Sequence, residues 1–130
     1  MSHPHLEIRA IPGKGRGVFA RQAFAPGEVI EHAPVIVGDL AHAEALEQTA
    51  LADHYFLWGE DHALDQICVA LGYGSLYNHS YAPNADWERD LVKHELIFFA
   101  HRPITPGDEI TINYNGRPHD DAPLWFEVQD

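Results

Sequence analysis

The sequence predicts a mostly β protein built from short strands with a single helix. Ten glycines and nine prolines punctuate the chain, so apolar runs are short and interrupted. Several of those runs alternate apolar with polar side chains, the period-two pattern of a half-buried strand. Only one stretch has the Ala, Leu and Glu content of a helix, so strands and helices do not alternate as they do around a parallel sheet.

Taken in order, HLEIRAI (His5–Ile11) alternates and predicts the first strand. GKGRG (Gly13–Gly17) breaks it, and GVFARQAF resumes it as far as the turn APGE. EVIEHAPVIVG predicts two further short β pieces, with Pro34 at a bend or an edge. DLAHAEALEQTALADHYFL, from Asp39 to about Leu57, predicts the main helix, with Asp39 as its cap. WGEDHALD reads as a hairpin connection and QICVAL as a buried strand. GYGSLYNHS begins with glycines and predicts no long regular element. NADWERDLVKHELIFFAHRPI reads as two strands around a charged turn. TPGDEITINYNG reads as a turn and a strand carrying β-branched Ile110, Thr111 and Ile112. The tail RPHDDAPLWFEVQD is polar except for Leu124, Trp125 and Phe126, and no internal repeat or linker is visible.

The chain has 130 residues, 45% of them hydrophobic, which suits one domain over 1–130 with a real core. A net charge of −12 is the strongest compositional signal. It repels nucleic-acid phosphate and anionic lipid heads and attracts basic partners. Cys68 is the sole cysteine, so neither an intramolecular disulfide nor a cysteine-rich zinc cluster can form. The first residues lack an apolar core of signal-peptide length, and nothing approaches a membrane-spanning run. The expected setting is cytoplasmic, or nuclear or host chromatin for a eukaryotic or viral source. Ten histidines are scattered without H-E-x-x-H or Cys/His spacing, so no functional metal is expected; HDD at His119–Asp121 is at most adventitious.

Two polar stretches stand out: SLYNHSYAPN (Ser75–Asn84) and GDEITINYNG (Gly107–Gly116). GKGRG is neither a phosphate loop nor a dinucleotide fingerprint. It fits G-x-G-x-G of doubly wound methyltransferases, but Pro26-Gly27 stops any following helix within about two turns.

Together, GKGRGVFA, APGEVIE, LGYGSLYNHSYAPN and PITPGDEITINY occur in the order and spacing of a SET domain, the family of protein-lysine methyltransferases. The resemblance rests on Val18-Phe19 after the glycines, Asn78-His79-Ser80 with Pro83-Asn84, and Gly107-Asp108-Glu109-Ile110 ending at Tyr114. It covers nearly the whole chain and looks nearest to the small viral and bacterial SET proteins without flanking zinc regions. The resemblance implies a β-clip fold with a C-terminal pseudoknot that brings the Asn78–Ser80 segment beside the last strand. It implies S-adenosylmethionine as cofactor, held by Lys14, Gly15, Arg16 and Gly17 of the loop, by Asn78 and His79, and beside Tyr114. It implies Tyr114 at the methyl-transfer centre, Tyr55 in the substrate channel, and residues 117–130 as a flank whose Trp125 covers the site or anchors the tail. Glu109 and His79 are expected to brace the knot. Tyr81 stands where many relatives have a zinc-ligating cysteine. The implied substrate is a basic, flexible segment of a histone, histone-like or ribosomal protein, with a homodimer possible. The alternative is an inactive SET-fold module that binds a basic peptide without turnover.

Overall fold

The computed structural model describes residues 4–52, 54–60 and 63–114. Among them are nine strands: β1 (Leu6–Ile11), β2 (Gly15–Ala20), β3 (Val29–Asp39), β4 (Tyr55–Glu60), β5 (Ala63–Ala70), β6 (Asn78–His79), β7 (Ala85–Asp90), β8 (Glu95–Ala100) and β9 (Glu109–Ile112). One α-helix, α1 (Ala43–Leu46), joins them. The strands form two sheets, ordered β1-β2-β9-β6 and β4-β5-β3-β8-β7. The chain divides into two compact units, and the boundaries fall inside β3, β7 and β8.

The first unit comprises the residues up to Ile30, Leu76–Trp87 and those from Phe98 onward. β1 and β2 form an antiparallel hairpin from Leu6↔Ala20 to Ile11↔Gly15, so Gly15 and Gly17 belong to a strand and the turn itself is short. The other edge of β2 pairs with β9 through Val18↔Ile110 and Phe19↔Glu109. Leu6, Val18, Phe98, Ile104, Ile110 and Ile112 form its buried core, each no more than 1% exposed.

A local repeat is built into this unit, although the sequence reading found none. Residues 18–30 and 98–110 follow the same path eighty positions apart, with Phe19/Phe99, Ala20/Ala100, Pro26/Pro106, Gly27/Gly107 and Ile30/Ile110 identical. Each half contains a Pro-Gly turn of type II, with Gly27 at φ 85° and Gly107 at φ 92°, backbone that only glycine adopts without strain. Each half also completes the other. The Gly27 N–H donates to Ala100 O at 2.8 Å and the Gly107 N–H to Ala20 O at 2.8 Å. Phe24 and Ile104 exchange both backbone bonds, at 2.9 and 3.0 Å. The turn acids act alike: Glu28 accepts from Ala25 N–H and Asp108 from Thr105 N–H. Two short copies diverged at most positions are hard to see as a repeat until their bonds are drawn.

The second unit comprises Glu31–Ser75 and Glu88–Ile97. β4 and β5 form a hairpin, from Tyr55↔Val69 to Glu60↔Ala63, around the segment read as a hairpin connection. β3 pairs along β5 from Val35↔Ala70 to Asp39↔Gln66. Arg89 of β7 donates from Nε to Leu57 O of β4 at 2.9 Å. This ties together the two strands that end the sheet order, so the sheet is nearly closed. A buried Trp58 sets its ring edge-on to His94 at 6.1 Å.

Two expectations fail here. The helix predicted from Asp39 to Leu57 shrinks to a 3-10 turn (Leu40–His42) and the four residues of α1. Asp39 does cap, accepting from Ala41 N–H at 2.9 Å. Beyond α1, however, Thr49 takes Leu46 O with its hydroxyl and the chain continues in tight turns. No residue of α1 is buried, so helix-forming side chains had no packing to hold them. Tyr55–Trp58, rich in aromatics, instead enter β4. The two short pieces predicted around Pro34 are one eleven-residue strand, β3. Pro34 is tolerated because ladder pairing with β5 starts one residue later, while its carbonyl still accepts Leu71 N–H at 2.8 Å.

Cys68 lies on β5 at 1% exposure, and burial pushes its thiol up to about 12, with Arg89 and a backbone bond from Phe56 pulling less strongly the other way. At pH 8 about one thiol in ten thousand is then ionised. Alkylation at that pH, followed by mass spectrometry, should leave the native chain unlabelled while the unfolded chain takes up one label.

Candidate active site

β9 is the element from which the site is built. Its edges are served by two strands, β2 and β6, and by one side chain. β6 runs parallel to β9 through Asn78↔Thr111 and His79↔Ile112, and Ser80 N–H extends the ladder to Ile112 O at 2.9 Å. The opposite edge, to which Glu109 and Thr111 turn their backbone groups, is served by the side chain of Asn84. Its Nδ2 donates to Glu109 O at 2.8 Å and its Oδ1 accepts from Thr111 N–H at 2.9 Å. A primary amide thus stands in for one peptide of a neighbouring strand.

On β2, Gly17 lies under the side chains of Asn78 and Glu109. A Cβ there would sit 2.6 Å from Glu109 Oε2, 2.9 Å from Asn78 Nδ2 and 2.5 Å from Ile11 Cδ1, so a side chain could enter only by pushing these three side-chain ends aside. Asn78 Nδ2 donates to Arg16 O at 2.9 Å and to Glu109 Oε2 at 2.7 Å. The other carboxylate oxygen of Glu109 meets Lys14 Nζ at 3.3 Å, with both side chains largely buried. Lys14, Arg16, Gly17, Asn78 and Glu109 therefore form one connected group spanning the turn, β6 and β9.

Next along β6, buried His79 accepts from Tyr114 N–H at Nδ1, 2.9 Å away. An acceptor Nδ1 carries no proton, which makes this imidazole the neutral Nε2–H tautomer. Its ring meets Tyr81 edge-on at 4.5 Å and Tyr114 at 5.2 Å. The Tyr114 hydroxyl donates to Tyr77 O at 2.7 Å. Tyr77 is itself buried against Phe98, ring centroids 4.6 Å apart. The half-buried phenol of Tyr114 is thus held at both ends, by its backbone and by its hydroxyl.

The SET-domain family profile matches residues 15–115. The chain belongs to the SET-domain family. With that it stands among enzymes, the protein-lysine N-methyltransferases. It is 33% identical over 123 residues to the H3 lysine-37-specific histone-lysine N-methyltransferase of Schizosaccharomyces pombe, covering 94% of this chain and 77% of that enzyme. It is 33% identical over 125 residues to histone-lysine N-methyltransferase Set8 of Drosophila melanogaster, covering 86% of this chain but only 18% of the fly protein. A crystal structure from Plasmodium falciparum, assigned as a histone methyltransferase, superposes with a TM-score of 0.67 at 29% identity over 87% of this chain and 95% of that one.

Of the residues expected at a SET site, Lys14, Gly15, Arg16, Gly17, Asn78, His79 and Tyr114 all lie in the first unit. The bonds above bring the turn to Asn78 and Asn78's neighbour His79 to Tyr114. Tyr55 lies in the second unit on β4, where its hydroxyl donates to Glu47 in a short hydrogen bond. Trp125 and the 117–130 flank lie outside the described residues. Asn84 was read only as part of a motif; its service to the edge of β9 was missed. The signal available was an Asn following Pro83 in a polar run, a residue able to imitate a peptide.

Two outcomes follow. Asn84→Ala leaves Glu109 O and Thr111 N–H without this partner and should cost about 2–4 kcal/mol in chemical unfolding. Asn84→Asp keeps the acceptor but sets a carboxylate oxygen against a carbonyl, and should be at least as destabilising. The Glu47 bond, with lesser help from burial, pushes the Tyr55 phenol up to about 12. The Tyr55–Glu47 bond is therefore fully present below about pH 10 and lost as pH rises toward 12. In an alkaline absorbance titration Tyr55 should ionise late, and Glu47→Gln should bring it back toward 10.

Proposed function

We propose that this chain transfers a methyl group from S-adenosylmethionine to the ε-amine of a lysine in a basic, flexible protein segment, such as a histone or histone-like tail. The observation that carries this reading is the fixation of Tyr114 through His79 and Tyr77, next to a polar group suited to an amino-acid-bearing ligand. The residues fit that cofactor in kind. Around Gly15 nothing lies within 4 Å of where a Cβ would stand, so a ligand can approach the backbone there. Asn78 offers its Oδ1 as an acceptor beside it. When bound, the cofactor supplies an electrophilic methyl on a sulfonium and leaves as a neutral thioether.

The substrate amine has to arrive uncharged. A free lysine has a pKa of about 10.4, so roughly 0.04% is neutral at pH 7. Desolvation and a neighbouring positive charge both favour loss of its proton, which goes to water, so no strong protein base is needed. His79 is unsuited to that work in any case, because its Nδ1 already holds Tyr114 N–H. Tyr114 is the orienting group. Its hydroxyl proton is directed at Tyr77 O, which leaves the oxygen to accept from the amine N–H or from the polarised methyl C–H. Alignment of this kind supplies several kcal/mol of barrier lowering, on the order of 7 in well-oriented cases. Tyr55 suits a channel wall in one respect: its phenol stays neutral across the physiological range. The net charge of −12 favours a lysine-rich segment, and binding should weaken with added salt.

Incubation with methyl-labelled cofactor and a panel of basic proteins tests the reading. Wild type should label a lysine, and Tyr114→Phe should bind cofactor normally yet transfer about a hundredfold more slowly. Cofactor binding without transfer to any basic substrate would overturn the enzyme reading in favour of a peptide-binding module.

A further inference from the structure

The connected group around Glu109 sets a polarity that the family likeness does not assign. Both amide hydrogens of Asn78 are committed, one to Arg16 O at 2.9 Å and one to Glu109 Oε2 at 2.7 Å. Both partners are pure acceptors: a peptide carbonyl and a carboxylate. The flipped amide would set Oδ1 against two oxygens and is excluded. Asn78 can therefore present a ligand with its carbonyl oxygen alone. Such an oxygen recognises a cation or an N–H donor; it repels a carboxylate.

We propose that Glu109 is a positioning residue that locks the Asn78 amide, so that Oδ1 receives the ammonium group at the amino-acid end of the cofactor. The proposal rests on the cofactor reading above and deepens it. Glu109 does not act on the ammonium as a bare charge. Lys14 Nζ lies 3.3 Å from its Oε1 and largely neutralises it, so its influence passes through the amide it orients. Gly17 makes this possible, because any side chain there would occupy the place where the carboxylate and the amide meet. The arrangement also relates the pocket to the fold. Glu109 contributes its backbone to β9, through Phe19 on one side and Asn84 on the other, so the carboxylate is held on a strand fixed at both edges. A group placed this way loses little freedom when the ligand arrives.

Calorimetric binding of S-adenosylhomocysteine and of its desamino analogue, which lacks only the α-amino group, tests this directly. Wild type should prefer the amine-bearing ligand by about tenfold or more, as expected for one hydrogen bond to a charged group. Glu109→Gln, free to turn its own amide, should lose most of that preference while its affinity for the desamino analogue changes by less than about threefold. A purely structural role would weaken both ligands by the same factor, and that result overturns the proposal. Equal binding of the two ligands by wild type also overturns it, with the cofactor reading intact; binding of neither overturns both. Should Glu109→Gln fail to fold, the wild-type protein still decides. The side-chain amide signals of Asn78 in NMR should exchange slowly with water, and fast exchange counts against the lock.

Discussion

The structure depends on satisfying both edges of a four-residue strand from segments far away in the chain. β9 receives hydrogen bonds from β2 and β6, and on the edge that Glu109 and Thr111 face from the Asn84 side chain. Four residues bury little by themselves, and an isolated strand of that length has no stability of its own. Its position is fixed because Ile110 and Ile112 are fully buried while the alternate residues are half-buried, Glu109 reaching Lys14 and Asn78. A one-residue slip would exchange these two sets.

That constraint explains why the site chemistry is spread over residues with unequal duties. Asn78 and His79 are at once rungs of the β6–β9 ladder and holders of functional groups. His79 uses a ring nitrogen for the backbone of Tyr114, and Asn78 uses both amide hydrogens for the framework. Side chains so committed are stiff, and stiffness is what the proposed alignment of a methyl, an amine and a phenol would require. Lys14 illustrates the electrostatic side. One cation neutralises the largely buried Glu109 carboxylate, whose charge would otherwise be costly to keep from water.

Much of this was legible in the chain. Alternation gave β1, the charged turn gave β7 and β8, and β-branched residues after Pro106-Gly107 gave β9, because these signals are local. The polar segments Asn78–Ser80 and Gly107–Tyr114 could be matched to a family because their spacing is unusual. What escaped was non-local. Helix propensity from Asp39 onward was overridden where no apolar face was available to bury and where β5 offered a partner for Tyr55–Trp58. Pro34 was read as an interruption because the register that accommodates it is set by β5, not by its neighbours in sequence. Asn84 could not be understood without knowing which backbone it faces. The pairing of the two Pro-Gly turns lay in hydrogen bonds eighty residues apart, with few identical side chains to announce it.

The reciprocal turns also bear on how the molecule comes into being. Ala20, Phe24 and Gly27 each need a backbone partner from residues 100–108, and the free edge of β2 needs β9. During synthesis the β1–β2 hairpin emerges before β9, with one edge open until residues 100–110 leave the ribosome. The first unit can therefore be assembled only after residues 100–110 have been made, and until then its exposed strand edge is something for chaperones to shield.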